Sequence, residues 1–200
     1  MIAPCFITPG SLPLKHNQSH ILWFWRFKVR ERLFFALCPD LNVRQAINQQ
    51  TQAITQGIDG KIMPEENWHI TLAFLGQVDK PTKQCMQQVA ATVQGEGFKL
   101  SLDKLAYWSK PRILWLGAGE TPGALVNLVN NLTMGLKDCG YSPDPRPFKL
   151  HLTLMRKAAR ANSLPPITPI VWSVEDFCLV RSTIDAHGAR YRVIARWALN

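Results

Sequence analysis

His69-Ile70-Thr71-Leu72 and His151-Leu152-Thr153-Leu154 repeat one pattern 82 positions apart. Each copy sits inside an apolar run, residues 68–75 and 148–155. An extended strand sends successive side chains to opposite faces. His69 and Thr71 therefore share one face, while Ile70 and Leu72 share the other. The second copy divides in the same way, His151 and Thr153 against Leu152 and Leu154. Each strand thus offers an imidazole and a hydroxyl on one side and two core-filling aliphatics on the other. Two such strands set side by side would make a cleft with two imidazoles and two hydroxyls, groups suited to proton transfer at a phosphate. Random placement in this composition yields roughly 0.06 such patterns. Two copies in strand-like context therefore point to one built feature.

The rest of the chain bounds the class. Its 200 residues are 46% hydrophobic and 18% charged, which suits a globular body with a substantial core and excludes a disordered chain. No apolar run approaches the length of a membrane span. Lysine and arginine outnumber aspartate and glutamate by 23 to 14, a net +9. Lys15, Arg26, Lys28 and Arg30 against Glu31 account for +3 of that, leaving +6 on the body. A positive body suits a polyanion such as RNA. Cys5, Cys38, Cys85, Cys139 and Cys178 are odd in number, scattered, and form no C-x-x-C pair. That spacing argues against a disulfide framework or zinc knuckle and for a reducing, cytoplasmic compartment.

Residues 1–30 read differently from the remainder. Pro4, Pro9, Gly10 and Pro13 break any regular pattern, and the apolar run 21–25 comes before its basic residues. A secretory signal has the reverse order and a longer run. The segment is expected to be a disordered extension outside the fold, with 31–200 as the domain. A basic-aromatic surface anchor is the sharper alternative, resting on one short run.

From Arg32 the signals become regular. Residues 32–37 read as a buried strand, and Pro39-Asp40 starts a helix that runs to about Ile54. After a loop over 57–64, the first histidine strand stops at Gly76. Pro81 opens a helix to about Val93, and 98–105 alternates like a strand. The second half keeps the rhythm: a strand at 113–116, a helix opened by Pro122 and ended by Gly140, a Pro-rich loop, then the second histidine strand. Residues 171–180 and 191–199 read as strands joined by a turn near His187-Gly188. The class is α/β of the α+β kind. It is expected to be bilobal, with two pseudo-symmetric lobes of mainly antiparallel sheet, outer helices and a central cleft.

Two H-x-T-x motifs about eighty residues apart, with R-L-F-F-A-L at 32–37, N-W-H-I-T-L-A-F-L-G at 67–76 and R-W-A-L at 196–199, resemble the two-histidine phosphoesterase superfamily. Within it they are most similar to the 2′-5′ RNA ligase family of RNA 2′,3′-cyclic phosphodiesterases. The resemblance spans about residues 32–200. It implies a bilobal fold and hydrolysis of a cyclic phosphate to a 2′-phosphomonoester, with no metal and no cofactor. The expected partner is RNA or a nucleotide with a 2′,3′-cyclic phosphate, met by a monomer.

Opening such a ring with water takes a base for the water, an acid for the departing ribose oxygen, and donors for the phosphoryl oxygens. Histidine titrates near neutrality and can fill either proton-transfer role. His69 is assigned as proton donor and His151 as proton acceptor; the near-symmetry of the sequence leaves the roles exchangeable. Thr71 and Thr153 face with their histidines and can donate to non-bridging oxygens.

Position suggests secondary candidates. The resemblance implies that Phe74 holds a nucleobase, although strict alternation puts it on the face opposite His69. Arg156 is a cation whose direction alternation leaves open, and Lys149 shares the face of His151; either could pair with phosphate. Lys110, Arg112 and Arg146 read as solvated surface charges, and His16, His20 and His187 as tail or turn residues. Three other readings compete: reversible 2′-5′ ligation of RNA ends, a non-catalytic RNA-end binding module, and a metallohydrolase. The last is disfavoured because neither motif has a neighbouring ligand at common metal spacing.

Overall fold

The structure is a computed structural model and describes residues 30–160, 163–186 and 188–200. The extension expected over 1–30 lies, apart from Arg30, outside the described residues, as do His16, His20 and His187. The strands are β1 (Glu31–Leu37), β2 (Lys61–Ile62), β3 (Ile70–Val78), β4 (Phe98–Leu102), β5 (Lys104–Trp108), β6 (Ile113–Gly117), β7 (Leu152–Arg156), β8 (Ile170–Val174), β9 (Asp176–Asp185) and β10 (Gly188–Ala198). The helices are α1 (Leu41–Gln56), α2 (Lys80–Thr92) and α3 (Gly123–Leu136).

Local chemistry sets the helix ends. The Asp40 carboxylate accepts the Val43 N–H at 2.8 Å, which caps α1, and Asp79 does the same for α2 through Thr82 at 3.1 Å. Past α3 and one turn of 3₁₀ helix, Gly140 adopts φ +81°, a left-handed conformation that glycine reaches without a Cβ penalty. Leu125, Leu128, Val129, Leu132 and Leu136 form the buried stripe of α3.

The main sheet runs β10-β9-β1-β3-β7-β6-β5, with β2 attached to β7, and β4 pairs with β8 in a second, two-stranded sheet. Every pairing is antiparallel. The order is symmetric about its centre: β1 flanks β3 as β6 flanks β7, and β9 lies beyond β1 as β5 lies beyond β6. That centre is a single bridged pair, Ile70 with Leu152. Both side chains are fully buried in the one large core, which α1, α2, α3 and the two-stranded sheet fill from the same side. The fold is α+β with a mostly antiparallel sheet, as the alternation signals imply.

Several element boundaries differ from the sequence reading. The strand expected over 98–105 is two strands broken at Asp103, and that over 171–180 is two strands broken at Glu175. Each break lets the chain leave the small sheet for the large one, so a continuous apolar pattern serves two sheets. β7 begins at Leu152, later than the apolar run from Phe148, because the preceding residues make no ladder. Cys85 and Cys139 are joined by a disulfide, against the expectation of reduced thiols. It ties α2 to the 3₁₀ turn after α3, two elements far apart in sequence whose packing was not visible from cysteine spacing. No described helix is long and apolar enough to cross a membrane.

Candidate active site

The bridged pair at the sheet centre decides where the motif residues go. Continuing its antiparallel register by one residue each way sets His69 opposite Thr153 and Thr71 opposite His151. All four belong to the face away from the core, since Ile70 and Leu152 point into it. The two imidazoles lie on one diagonal of this square and the two hydroxyls on the other. Standard sheet spacing puts the ends of such a diagonal about 8 Å apart at Cβ.

The two rings are held by the same device. His69 Nδ1 is 2.7 Å from the Asn67 carbonyl, and His151 Nδ1 is 2.8 Å from the Lys149 carbonyl. A carbonyl only accepts, so each Nδ1 carries the proton and donates it. The neutral tautomer is thereby set, with the Nε2 lone pair available for proton transfer. Lys149 thus serves His151 through its backbone, while its side chain is exposed.

The walls are unequal. Phe34 lies against His69 with centroids 4.7 Å apart, and Tyr191 meets the same ring edge-on at 5.1 Å. His151 has Trp108 at 4.8 Å, which in turn packs on Trp115 at 5.0 Å. Burial pushes the His69 pKa down to about 4; its bond to Asn67 opposes this, and the charges of His151 and Arg156 add to it. Burial also lowers the His151 pKa, with the Lys149 carbonyl opposing and Arg156 reinforcing. His69 lines a cavity of about 90 Å³ with Phe34, Arg44, Tyr191 and Arg196.

Two β-bulges settle what strict alternation left open. On β3, Thr71 pairs with Ala36 but Ala73 pairs with Phe35, so Leu72 is the extra residue. On β7, Thr153 pairs with Trp115 but Met155 pairs with Leu114, so Leu154 is extra. Leu72 and Ala73 are both buried, as are Leu154 and Met155. Each bulge reverses the parity of the residues beyond it. Phe74 therefore pairs with Phe34 and emerges on the histidine face, half exposed. Arg156, its counterpart 82 residues on, emerges there too, exposed, and its charge acts on both imidazoles. The Arg32 guanidinium sits 5.0 Å from the Phe74 ring centroid.

Of the surrounding basic residues, Arg112 is structural: its guanidinium donates to the Lys157 and Ala158 carbonyls at 3.0 and 3.1 Å. Arg146 pairs with Asp144 on the surface, and Lys110 is exposed. Among the described residues no three His, Cys, Asp or Glu side chains gather as a metal-holding group.

Asn67 was missed from sequence. Besides its carbonyl contact with His69, its buried side chain donates to the Ala189 carbonyl at 2.8 Å and accepts the Tyr191 N–H at 3.1 Å. It fastens β10, and with it the Tyr191 wall, to the segment that carries His69. Its place two residues before the first motif histidine was the only local signal.

Comparison with known proteins finds relatives of this chain. The 2'-5' RNA ligase superfamily model matches residues 42–185. The RNA 2',3'-cyclic phosphodiesterase of Escherichia coli K12 is 33% identical over 171 residues, 84% of this chain and 97% of that protein. The protein of the same name from Archaeoglobus fulgidus is 31% identical over 175 residues, 80% of this chain and 96% of its own. The crystal structure of E. coli LigT complexed with 3'-AMP superposes with a TM-score of 0.79 at 32% identity, covering 85% of this chain and 98% of that one.

Proposed function

The chain belongs to the 2'-5' RNA ligase superfamily, and from that premise we propose that it hydrolyses RNA 2′,3′-cyclic phosphate ends to 2′-phosphomonoesters. The observation that carries the proposal is the pair of crossed diagonals centred on Ile70 and Leu152. In-line displacement places the entering and leaving oxygens on one axis through phosphorus, with the non-bridging oxygens across it. A phosphate over the bridged pair has an imidazole at each end of that axis and the Thr71 and Thr153 hydroxyls beside its oxygens. His151 Nε2 takes the proton from the attacking water, and His69 Nε2–H gives one to the departing 3′ oxygen. Thr71, Thr153 and the Arg156 guanidinium hold charge on the phosphoryl group. Phe74 supplies a face for the terminal base.

The donor role of His69 is compatible with its lowered pKa in the free site. A bound phosphate anion favours the imidazolium, and the less water surrounds the ring, the less that attraction is screened. His69, packed against both Phe34 and Tyr191, gains most. The reaction uses these side chains without a metal or cofactor, on single protomers, in the cytoplasm, where the RNA substrate is met.

The test is turnover of a 2′,3′-cyclic nucleotide with a chelator present. His69→Ala and His151→Ala should each lower kcat by roughly 10²–10⁴, the usual contribution of a proton-transfer group. The wild type should yield the 2′-phosphate at an unchanged rate. Wild-type turnover in either variant would refute the mechanism, and a substrate bound but left intact would make the protein an RNA-end binder.

A further inference from the structure

The pseudo-twofold that relates β3 to β7 fails on one flank, and a pocket lies at the failure. Beyond Ile70 and Leu152 the two strands diverge, so each has an edge to cover. On β7 it is covered: Lys61 and Ile62 pair with Arg156 and Met155, and Met63 N–H donates to the Leu154 carbonyl at 2.8 Å. Beside β3 the corresponding stretch is 141–148, and none of its residues forms a strand or a ladder with β3. Between them is a cavity of about 280 Å³ whose wall includes Arg30, Phe74, Gln77, Asp79, Thr82 and Tyr141.

We propose that this cavity is the subsite for the nucleotide preceding the cyclic-phosphate end of an RNA strand. The proposal rests on the reaction assigned above and extends it from a cyclic nucleotide to an oligonucleotide. Continuity is the first support. Phe74 belongs both to the histidine face, opposite Phe34, and to the cavity wall. It stands three residues from Thr71, about 10 Å along a strand, which suits the distance from a terminal phosphate to its own base. A base on Phe74 leaves the rest of the RNA to continue into the cavity.

The lining chemistry is the second support. The half-buried Tyr141 ring offers a stacking face that accepts any base. Arg30 and Arg32, both exposed, bring two guanidinium groups toward the connecting phosphodiester. The nearby carboxylates are engaged: Asp79 caps α2, and Asp144 is held by Arg146. Gln77 and Thr82 present amide and hydroxyl groups to base edges.

The experiment compares kcat/KM for a 2′,3′-cyclic mononucleotide and for a dinucleotide with the same cyclic end. The wild type should prefer the dinucleotide by about tenfold, the worth of one stacked base. Arg30→Ala and Tyr141→Ala should erase most of that preference and leave the mononucleotide rate unchanged; Tyr141→Phe should keep it. Tyr141 packs partly on the core, whereas Arg30 is exposed, so loss through unfolding cannot mask the arginine result. A wild type without preference, or an Arg30→Ala variant that affects both substrates alike, overturns the subsite alone. A wild type inert on both overturns the phosphodiesterase reading and the subsite with it.

Discussion

Acid should destabilise this protein through His69 in a way that one substitution removes. Burial holds the folded-state pKa of His69 at about 4, against an ordinary 6.5 once the chain unfolds. Between these values the unfolded chain binds a proton that the folded one refuses, so stability falls as pH falls. The contribution is flat above about pH 7, amounts to about 2 kcal/mol of lost stability at pH 5 and reaches about 3 kcal/mol at pH 4. His69→Asn keeps a side-chain N–H able to reach the Asn67 carbonyl and cannot acquire the charge. Urea unfolding of both proteins from pH 7.5 to pH 4 measures the effect. The fixed difference at pH 7.5 subtracts out, and carboxylates that titrate near pH 4 act on both proteins alike. At an m-value of about 2 kcal/mol/M, the wild-type midpoint should fall by about 1.5 M more than that of the variant. Midpoints that fall in parallel would show that His69 is not held neutral by its surroundings, and the account of the site's electrostatics would fail.

Gly117→Ala tests the wall behind His151. The new methyl would lie 2.6 Å from Trp115 Cζ3 and 2.9 Å from the Leu150 carbonyl oxygen, so either the ring or the start of β7 must move; a loss of about 1–3 kcal/mol with lower kcat is expected from melting and turnover, and an unchanged rate would show that the wall does not position the ring. Asn67→Ala removes two bonds to β10 and leaves the Ala189 carbonyl and Tyr191 N–H short of partners, about 1–3 kcal/mol each if they stay buried. The same variant should raise the His69 pKa as Tyr191 loosens, read from its ring protons by NMR; a pKa still near 4 would refute the positioning role. Binding of inorganic phosphate at pH 7 should draw a proton from solvent as His69 charges, so titration heats should differ between buffers of unlike ionisation enthalpy; equal heats would count against His69 as the donor.

The features legible in the sequence were those that depend on near neighbours. The alternation around His69 and His151 set each imidazole on the same strand face as its own threonine hydroxyl, and Pro39-Asp40 and Pro81 marked two helix starts. The features that stayed hidden depend on the partner strand. Leu72 and Leu154 look like any aliphatic in an alternating run; only the opposing register makes each of them the first of two consecutive inward residues. Without the bulges Phe74 and Arg156, each five residues past its motif histidine, would belong to the core face. The joint between β4 and β5 is equally non-local: Asp103 ends a strand because its N–H donates to the Gly117 carbonyl and its carboxylate accepts the Gly119 N–H. The disulfide is hidden for the same reason, since 54 residues separate its cysteines.

Near-identical tetrapeptides on a pseudo-twofold pose a problem for acid–base chemistry, and the unequal walls answer it. Two equivalent imidazoles would share one proton affinity, and a phosphate between them would have no preferred donor. Their equivalence ends one layer out, where β10 and β5 differ. Tyr191 and Phe34 enclose His69, whereas His151 is packed by Trp108. The lowered pKa of both rings and the positive Arg156 leave the free site neutral at its imidazoles and attractive to an anion. In the proposed reaction, arrival of the phosphate would change the two rings by different amounts, because the drier one is less screened from its charge. On the proposed mechanism a single incoming charge would sort two matching histidines into donor and acceptor, and β10 and β5, which carry no copy of the motif, would set the direction of proton flow.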